Sequence, residues 1–294
     1  MRPPPFLIAT ACAVFACAPP PPPATSRTGF GSRLRVATWN VHDLFDAEDR
    51  LLPPGDLDPV LSTAALDAKL GRVAAVLDRV DADLVLLQEV ENLPLAEALA
   101  ARAGYPEARL VEGFDPRGID VALLSRRRIG RYASHLGETS SDGRPLWSRD
   151  CVEARVEAAG GPVVLVGSHL VSRITDPTGG RRAEQAAGMR RIADAAVSTE
   201  PGALVLAGGD LNDEPESASL APLLADGDWV DALSVVGLGD VWTWLGSGGG
   251  ARFDYLLLPW SEAWRVVSAS AVDGADVAAA SDHRPVVVEL EWGR

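Results

Sequence analysis

The stretch Leu84-Val85-Leu86-Leu87-Gln88-Glu89-Val90-Glu91-Asn92 decides the fold. Four consecutive apolar residues without alternation read as a strand buried on both faces, and the run ends at the polar pair Gln88-Glu89. Upstream, Thr63 to Val80 carries Leu66, Leu70, Val73, Val76 and Leu77 at helical spacing. Downstream, Pro94 to Ala103 forms a second helix pattern, with proline near its start and Gly104 just past its end. The same reading extends to both ends of the chain. Strands are predicted at Leu34–Asn40, Asp120–Leu124, Cys151–Val156, Val163–Ser168, Ala203–Ala207, Phe253–Leu258, Trp264–Val272 and Pro285–Leu290, with a long amphipathic helix at Arg181–Val197. Strand material dominates, so an α/β fold of two packed sheets with helices outside fits better than one doubly wound sheet. Neither a repeat nor an internal linker interrupts the pattern, which predicts one domain over 33–294.

Acidic residues outnumber basic ones by 41 to 27, a net charge of −14. That excludes a basic nucleic-acid coat protein, whose phosphate binding needs a positive surface, but leaves open a site that meets phosphate through a cation. Three cysteines, Cys12, Cys17 and Cys151, are too few for a disulfide framework and are not spaced as a zinc site. At the N-terminus, Arg2 precedes the apolar run Phe6–Ala18 and then Pro19–Pro23. The run is shorter than the roughly 20 residues a bilayer core requires and matches the apolar part of a secretory signal. Val14-Phe15-Ala16-Cys17 resembles a bacterial lipobox, with Phe15 bulkier than usual. Residues 1–16 are therefore expected to be a signal peptide and 17–32 a Pro-rich tether to a lipid on Cys17, with plain secretion as the alternative. The domain is expected to be exported and monomeric, with Cys151 as its free thiol.

Polar residues recur where apolar strands end, at the rim of a sheet. They are Asn40, Gln88-Glu89, Ser168-His169, Gly208-Gly209-Asp210-Leu211-Asn212 and, just before the last strand, Ser281-Asp282-His283. Each alone is ordinary turn or cap chemistry; five together point to a site. The strings ATWNV, LLQEVEN, VGSHL, AGGDLND, RFDYLLL and SDHRPVVVEL resemble, in order, the motifs of the endonuclease/exonuclease/phosphatase superfamily, the deoxyribonuclease I-like group. The resemblance spans Leu34 to Leu290 and implies a four-layer sandwich of two mixed sheets flanked by helices.

It also implies roles for individual residues. Glu89 matches the principal metal ligand, with Asn40 and Asp282 beside it, an oxygen-donor set that suits Mg²⁺, with Mn²⁺ as a substitute. Asn40 also matches a phosphate contact. Asp210 matches the residue that orients or deprotonates the attacking water, and Asn212 one that binds a phosphate oxygen. His283 matches the histidine beside the scissile phosphate, Asp254 the carboxylate that holds it, and His169 a transition-state donor or general acid. Such a set suits phosphate-ester hydrolysis, which needs charge neutralised, water oriented and a proton supplied. Arg149 is a candidate for bidentate phosphate contact. With Lys69 the single lysine, arginine abundance by itself does not mark Arg173, Arg181 or Arg182. Asp120 either joins the site or caps its strand. His42 is expected to be a turn residue, with lining the cleft as the alternative, and His135 structural, while Trp242 and Trp244 either stack on bases or pack internally. The stretch Arg117–Ala122 lacks the tyrosine that deoxyribonuclease I and the abasic-site enzymes carry there. Nucleic-acid phosphodiester hydrolysis is expected, with a phospholipid or other small phosphodiester, or a catalytically inactive binding module, as alternatives.

Overall fold

The computed structural model describes residues 32–48, 59–261 and 263–292. The expected signal, and the expected tether except Ser32, which begins β1, lie outside the described residues, as do Cys12 and Cys17. Chain order begins with β1 (Ser32–Leu44), α1 (Thr63–Val80), β2 (Leu84–Val90), α2 (Leu93–Ala103), β3 (Glu107–Leu110), β4 (Asp120–Ser125), β5 (Ile129–Ser134) and β6 (Val152–Ala158). It continues with β7 (Gly161–His169), α3 (Gly180–Thr199), β8 (Leu204–Asp210), α4 (Ala221–Leu224), β9 (Trp229–Asp231) and α5 (Ala232–Val235). It ends with β10 (Trp244–Gly246), β11 (Gly249–Ala251), β12 (Asp254–Pro259), β13 (Trp264–Ala271), α6 (Ala275–Ala280) and β14 (Val286–Trp292).

Two mixed six-stranded sheets result, ordered β13-β14-β1-β2-β4-β3 and β5-β6-β7-β8-β12-β9, with β10 and β11 forming a small ribbon. Alternation along each strand separates three cores. Leu34, Val36, Leu84, Leu86, Val286 and Val288 of the first sheet meet Val163, Leu165, Leu204, Leu206, Leu256 and Leu258 of the second. The opposite faces are covered by helices: Trp39, Val85 and Leu87 pack under α1, α2 and α6, while Val164, Val166, Val205 and Leu257 pack against α3. These layers form the predicted α/β four-layer sandwich of two packed mixed sheets flanked by helices.

Helix α1 has the predicted bounds because its ends are capped. Ser62 accepts from the Ala65 amide, and Asp81 turns left-handed at φ 49°. Asn92 caps α2, and Gly104, at φ 73°, closes it. No helix among the described residues is long and apolar enough to cross a membrane.

The strands run further than their apolar stretches. β2, β7 and β8 continue through Glu89, His169 and Asp210, because neighbouring strands keep pairing across the polar residues. At the end of β8, Gly209 has φ 133°, and a Cβ there would lie 1.9 Å from the Ser168 carbonyl. Gly202 also has positive φ, 90°, but open space around it. Gly209→Ala is therefore expected to lower the unfolding free energy by about 3 kcal/mol or more, and Gly202→Ala by about 1 kcal/mol. Denaturant titration of the two variants checks this; equal losses would show that close approach at Gly209 is not limiting.

Candidate functional site

Register across three strands builds the floor of the site. His169 on β7 pairs with Asp210 on β8, and Asp210 pairs with Asp254 on β12. The row is buried: His169 is 3% exposed, Asp210 1% and Asp254 0%. The first sheet supplies the other half, with Asn40 where β1's parallel register with β2 shifts, Glu89 in β2, and Asp282-His283 in the turn before β14.

Hydrogen bonds then cross the seam between the sheets. His283 Nδ1 lies 2.9 Å from Asp254 Oδ2, and its Nε2 lies 3.8 Å from Asp210 Oδ2. Asn40 Nδ2 donates to Asp210 Oδ2 (2.9 Å) and to Glu89 Oε1 (3.1 Å), bridging the two carboxylates. Its oxygen accepts from the His42 amide at 2.9 Å, so Asn40 orients both acids while facing the turn with its acceptor. The backbone of His283 is fixed as well. Trp39 Nε1 donates to its carbonyl, its amide donates to Ser281 Oγ, and Ser281 Oγ–H donates to the Asn40 carbonyl. Thr243 Oγ1 accepts from the Phe253 and Asp254 amides, which fixes the other partner.

Electrostatics divides the roles. Burial opposes charge on His283, but Asp254 and Asp210 outweigh it and push the imidazole up to about 10. Burial pushes Asp210 up to about 7, against the pull of His283. His169 moves the other way: burial, then Arg149, His283 and Arg117, hold it well below the ordinary histidine range. A neutral His169, 3.4 Å from Asp210 Oδ2 through Nε2, is suited to donate a hydrogen bond and not to act as a cationic acid. Its Nδ1 is buried without a partner.

Glu89 sits at a bulge between Gln88 and Val90 with φ 64°. Burial raises its pKa, but Arg117 (Nη2 at 3.7 Å) and hydrogen bonds from Asn40 and Asp43 prevail, and it lies below its usual value. Asp282 is held down to about 2: burial works against it, while His42 (2.9 Å), His283 and Trp244 Nε1 (2.9 Å) favour its charge. Glu89, Asp282 and Asp43 thus offer carboxylate oxygens around the cleft, a donor set that fits a hard divalent cation. Partners already stand beside them: Arg117 at Glu89 and Asp43, and at Asp282 the His42 ring, whose pKa the hydrogen bond to Asp282 raises. The described residues whose ligand atoms converge within 4.8 Å are different ones, Asp210, Asp254 and His283. The expected cation residues Asn40, Glu89 and Asp282 are therefore arranged around that group and are not its members.

Arg149, expected to reach phosphate, is tied inward. Nε and Nη2 each lie 2.9 Å from Asp115 Oδ2, and Nη1 donates to the His169 and Leu170 carbonyls. It clamps the end of β7, because a buried guanidinium needs partners for its donors. Arg182 is likewise buried on Asp213. Asn212, at φ 54°, donates to the Leu170 carbonyl, and its amide caps Asp210 Oδ1. Asp120 accepts from the Gly113 amide through both oxygens and anchors the loop ahead of β4. His42 is indeed a turn residue, φ 55°, yet it also lines the cleft. His135 lies apart, beside Glu138 and Glu153. Trp244 packs on Phe253 at 5.0 Å, and Trp242 lies under Arg284. Sequence reasoning missed the supports Trp39, Thr243 and Arg117, whose contacts with the site residues lie ten or more positions away in the chain.

Because His283 is raised in the fold, its stabilising share is complete below about 6.5 and disappears as pH rises through about 10. An NMR titration of the His283 ring is expected to show a midpoint near 10. In Asp254→Asn the midpoint should fall by about 1–3 pH units. An ordinary midpoint in the parent protein would show that the two carboxylates do not act on the ring.

Comparison with known proteins fits this architecture. The model of the Endonuclease/Exonuclease/phosphatase family matches residues 18–283. D. rerio TDP2 complexed with single strand DNA product is similar at TM-score 0.63 and 20% identity, covering 88% of this chain and 99% of that one. The human Nocturnin catalytic domain with bound sulfate anion reaches TM-score 0.67 at 18% identity, covering 88% and 94%. An endonuclease/exonuclease/phosphatase from Beutenbergia cavernae DSM 12333 reaches 0.60 at 23%, covering 89% and 72%. These structures share the fold. No curated protein matches the chain. With 18–283 matched and both sheets in place, the chain belongs to the endonuclease/exonuclease/phosphatase family, a superfamily of hydrolytic phosphodiesterases, nucleases and phosphatases that depend on divalent metal.

Proposed function

We propose that the protein is a metal-dependent nuclease that hydrolyses nucleic-acid phosphodiesters outside the cytoplasm. One observation carries the reading: His283 and Asp210, backed by the buried Asp254 and joined by Asn40 to Glu89, line an open cleft of about 840 Å³. The upward shifts of His283 and Asp210 assign the proton work. At neutral pH His283 keeps its proton, so it serves as the donor to phosphate oxygen, its ring held by Asp254 through Nδ1. Asp210, near 7, is the carboxylate able to take a proton from water. Neutral His169 and the Asn212 amide stand beside it as uncharged donors. Glu89 and Asp282 would hold Mg²⁺ or Mn²⁺, which supplies charge neutralisation and polarises the phosphoryl group. Nucleic acid is favoured over phospholipid because a protein of this fold, D. rerio TDP2, is complexed with single strand DNA product.

Purified domain offered DNA, RNA, sphingomyelin, a phosphoinositide and bis-p-nitrophenyl phosphate with Mg²⁺ is expected to cleave the nucleic acids and the small diester. Excess chelator should abolish this, and Glu89→Gln should lower cation affinity by calorimetry and turnover by about a hundredfold or more. Turnover undiminished in chelator, or confined to the lipids, would overturn the reading.

We also propose that the chain is exported and tethered through Cys17, on the strength of its apolar run, lipobox-like Cys17 and proline stretch. Labelled palmitate is expected to enter the parent protein and not Cys17→Ser; equal labelling would refute the anchor.

A further inference from the structure

Two large apolar side chains stand exposed at the mouth of the same cleft. Phe114 is 60% exposed and Ile174 94%, and both line it together with the catalytic groups. They come from separate loops, and both loops are pinned. The Phe114 amide donates to the Ser148 carbonyl at 2.6 Å, and Asp120 holds Gly113 just before it. Around Ile174, Ser172 Oγ accepts from the Thr175 amide, and the Ser172 carbonyl accepts from that of Asp176. Their exposure is thus built into ordered turns. A guanidinium with donors to spare lines the same cleft. Arg173 is half-exposed, lies 5.7 Å over the Phe253 ring, and comes no nearer than 3.9 Å to the Asp213 carboxylate. Arg117, by contrast, is engaged by Asp43.

An aromatic face, an apolar lip and an available arginine match a nucleotide, which pairs a flat base with a diester anion. A lipid surface would call for a contiguous apolar patch, whereas Ile174 is flanked by Arg173 and Thr175. Bases inside a duplex are stacked on each other and reach a side chain only when flipped out; an unpaired strand offers its faces freely. We propose that Phe114, Arg173 and Ile174 form a grip for an unpaired nucleotide beside the scissile phosphate, making single-stranded nucleic acid the preferred substrate. The proposal rests on the nuclease reading and deepens it.

Equilibrium binding tests it without turnover. The probe is a fluorescent phosphorothioate oligonucleotide, whose linkages resist hydrolysis, measured by anisotropy as a single strand and as a duplex, alongside anionic phospholipid vesicles. The single strand is expected to bind about tenfold tighter than the duplex. Phe114→Ala and Ile174→Ser should each weaken it by about tenfold, and Phe114→Trp should retain binding because the stacking face survives. Arg173→Gln should reduce the slope of log affinity against log salt by about 0.7. All three side chains are exposed, so unchanged melting temperatures are expected to accompany the losses. Equal affinity for duplex and single strand, affinity indifferent to Phe114 and Ile174, or vesicle capture that depends on them would each overturn the grip. Failure of the nuclease reading shows separately, as absent turnover on every phosphodiester with strand binding intact.

Discussion

A buried imidazolium between two buried carboxylates holds the site, and in part the sandwich, together. Asp210 and Asp254 are neighbours in register on adjacent strands, and both are almost fully sequestered from water. Two carboxylates so placed repel each other and lose hydration unless a positive group joins them. That group comes from the other sheet. His283 precedes β14, so its 2.9 Å contact with Asp254 crosses the seam, as does the Asn40–Asp210 bond. Apolar contacts such as Leu86 and Val288 against Leu165 and Leu206 are permissive of small sliding; a buried charge pair is not. The polar line therefore fixes the offset between the sheets that apolar packing alone leaves loose.

Backbone strain concentrates at the same place. Five non-glycine residues have positive φ among those described, and four of them, His42, Asp43, Glu89 and Asn212, surround the cleft. The fifth, Asp81, ends α1. Such conformations cost about 1–3 kcal/mol each and persist where neighbours over-determine them. Here the over-determination is visible: Glu89 is held by the Asn40 amide group, the Asp43 amide and Arg117. Asn212 is held by Asp210 and Leu170. The bulge at Glu89 turns its carboxylate from the face it would occupy in a regular strand toward Asn40.

How much of this was legible in the sequence follows from the range of each interaction. Capping and periodicity are local, so α1 was predicted to the residue and the strands carrying Asn40, Glu89, His169 and Asp210 were located. Strand ends fell short because apolarity stops at Gln88 and Ser168, while pairing, which depends on the neighbouring strand, does not. The short strand β3 escaped because polar residues interrupt its pattern. Arginines were the hardest to read. With 27 basic residues, all but Lys69 arginine, composition could not separate Arg149, locked onto Asp115 and two carbonyls, from Arg173, which stays half-exposed.

The acidic balance of the whole chain gives that distinction its force. A protein of net charge −14 repels polyanions at long range, and salt screens that repulsion beyond about 10 Å. What a phosphate meets inside the cleft is a local field, and there the acids are partly answered: Glu89 by Arg117, Asp254 and Asp210 by the one imidazolium of His283, while Asp282 bonds to the His42 ring. A divalent cation held at Glu89, as proposed above, would add positive charge to this partly neutralised site, so the field at the reacting phosphate would turn attractive while the outer surface stays acidic. Close-range positive charge confined to a cleft holds an anion that enters it, and the acidic exterior discourages indiscriminate coating by nucleic acid. The arrangement suits an enzyme that must release its product, since a broadly basic surface would retain it.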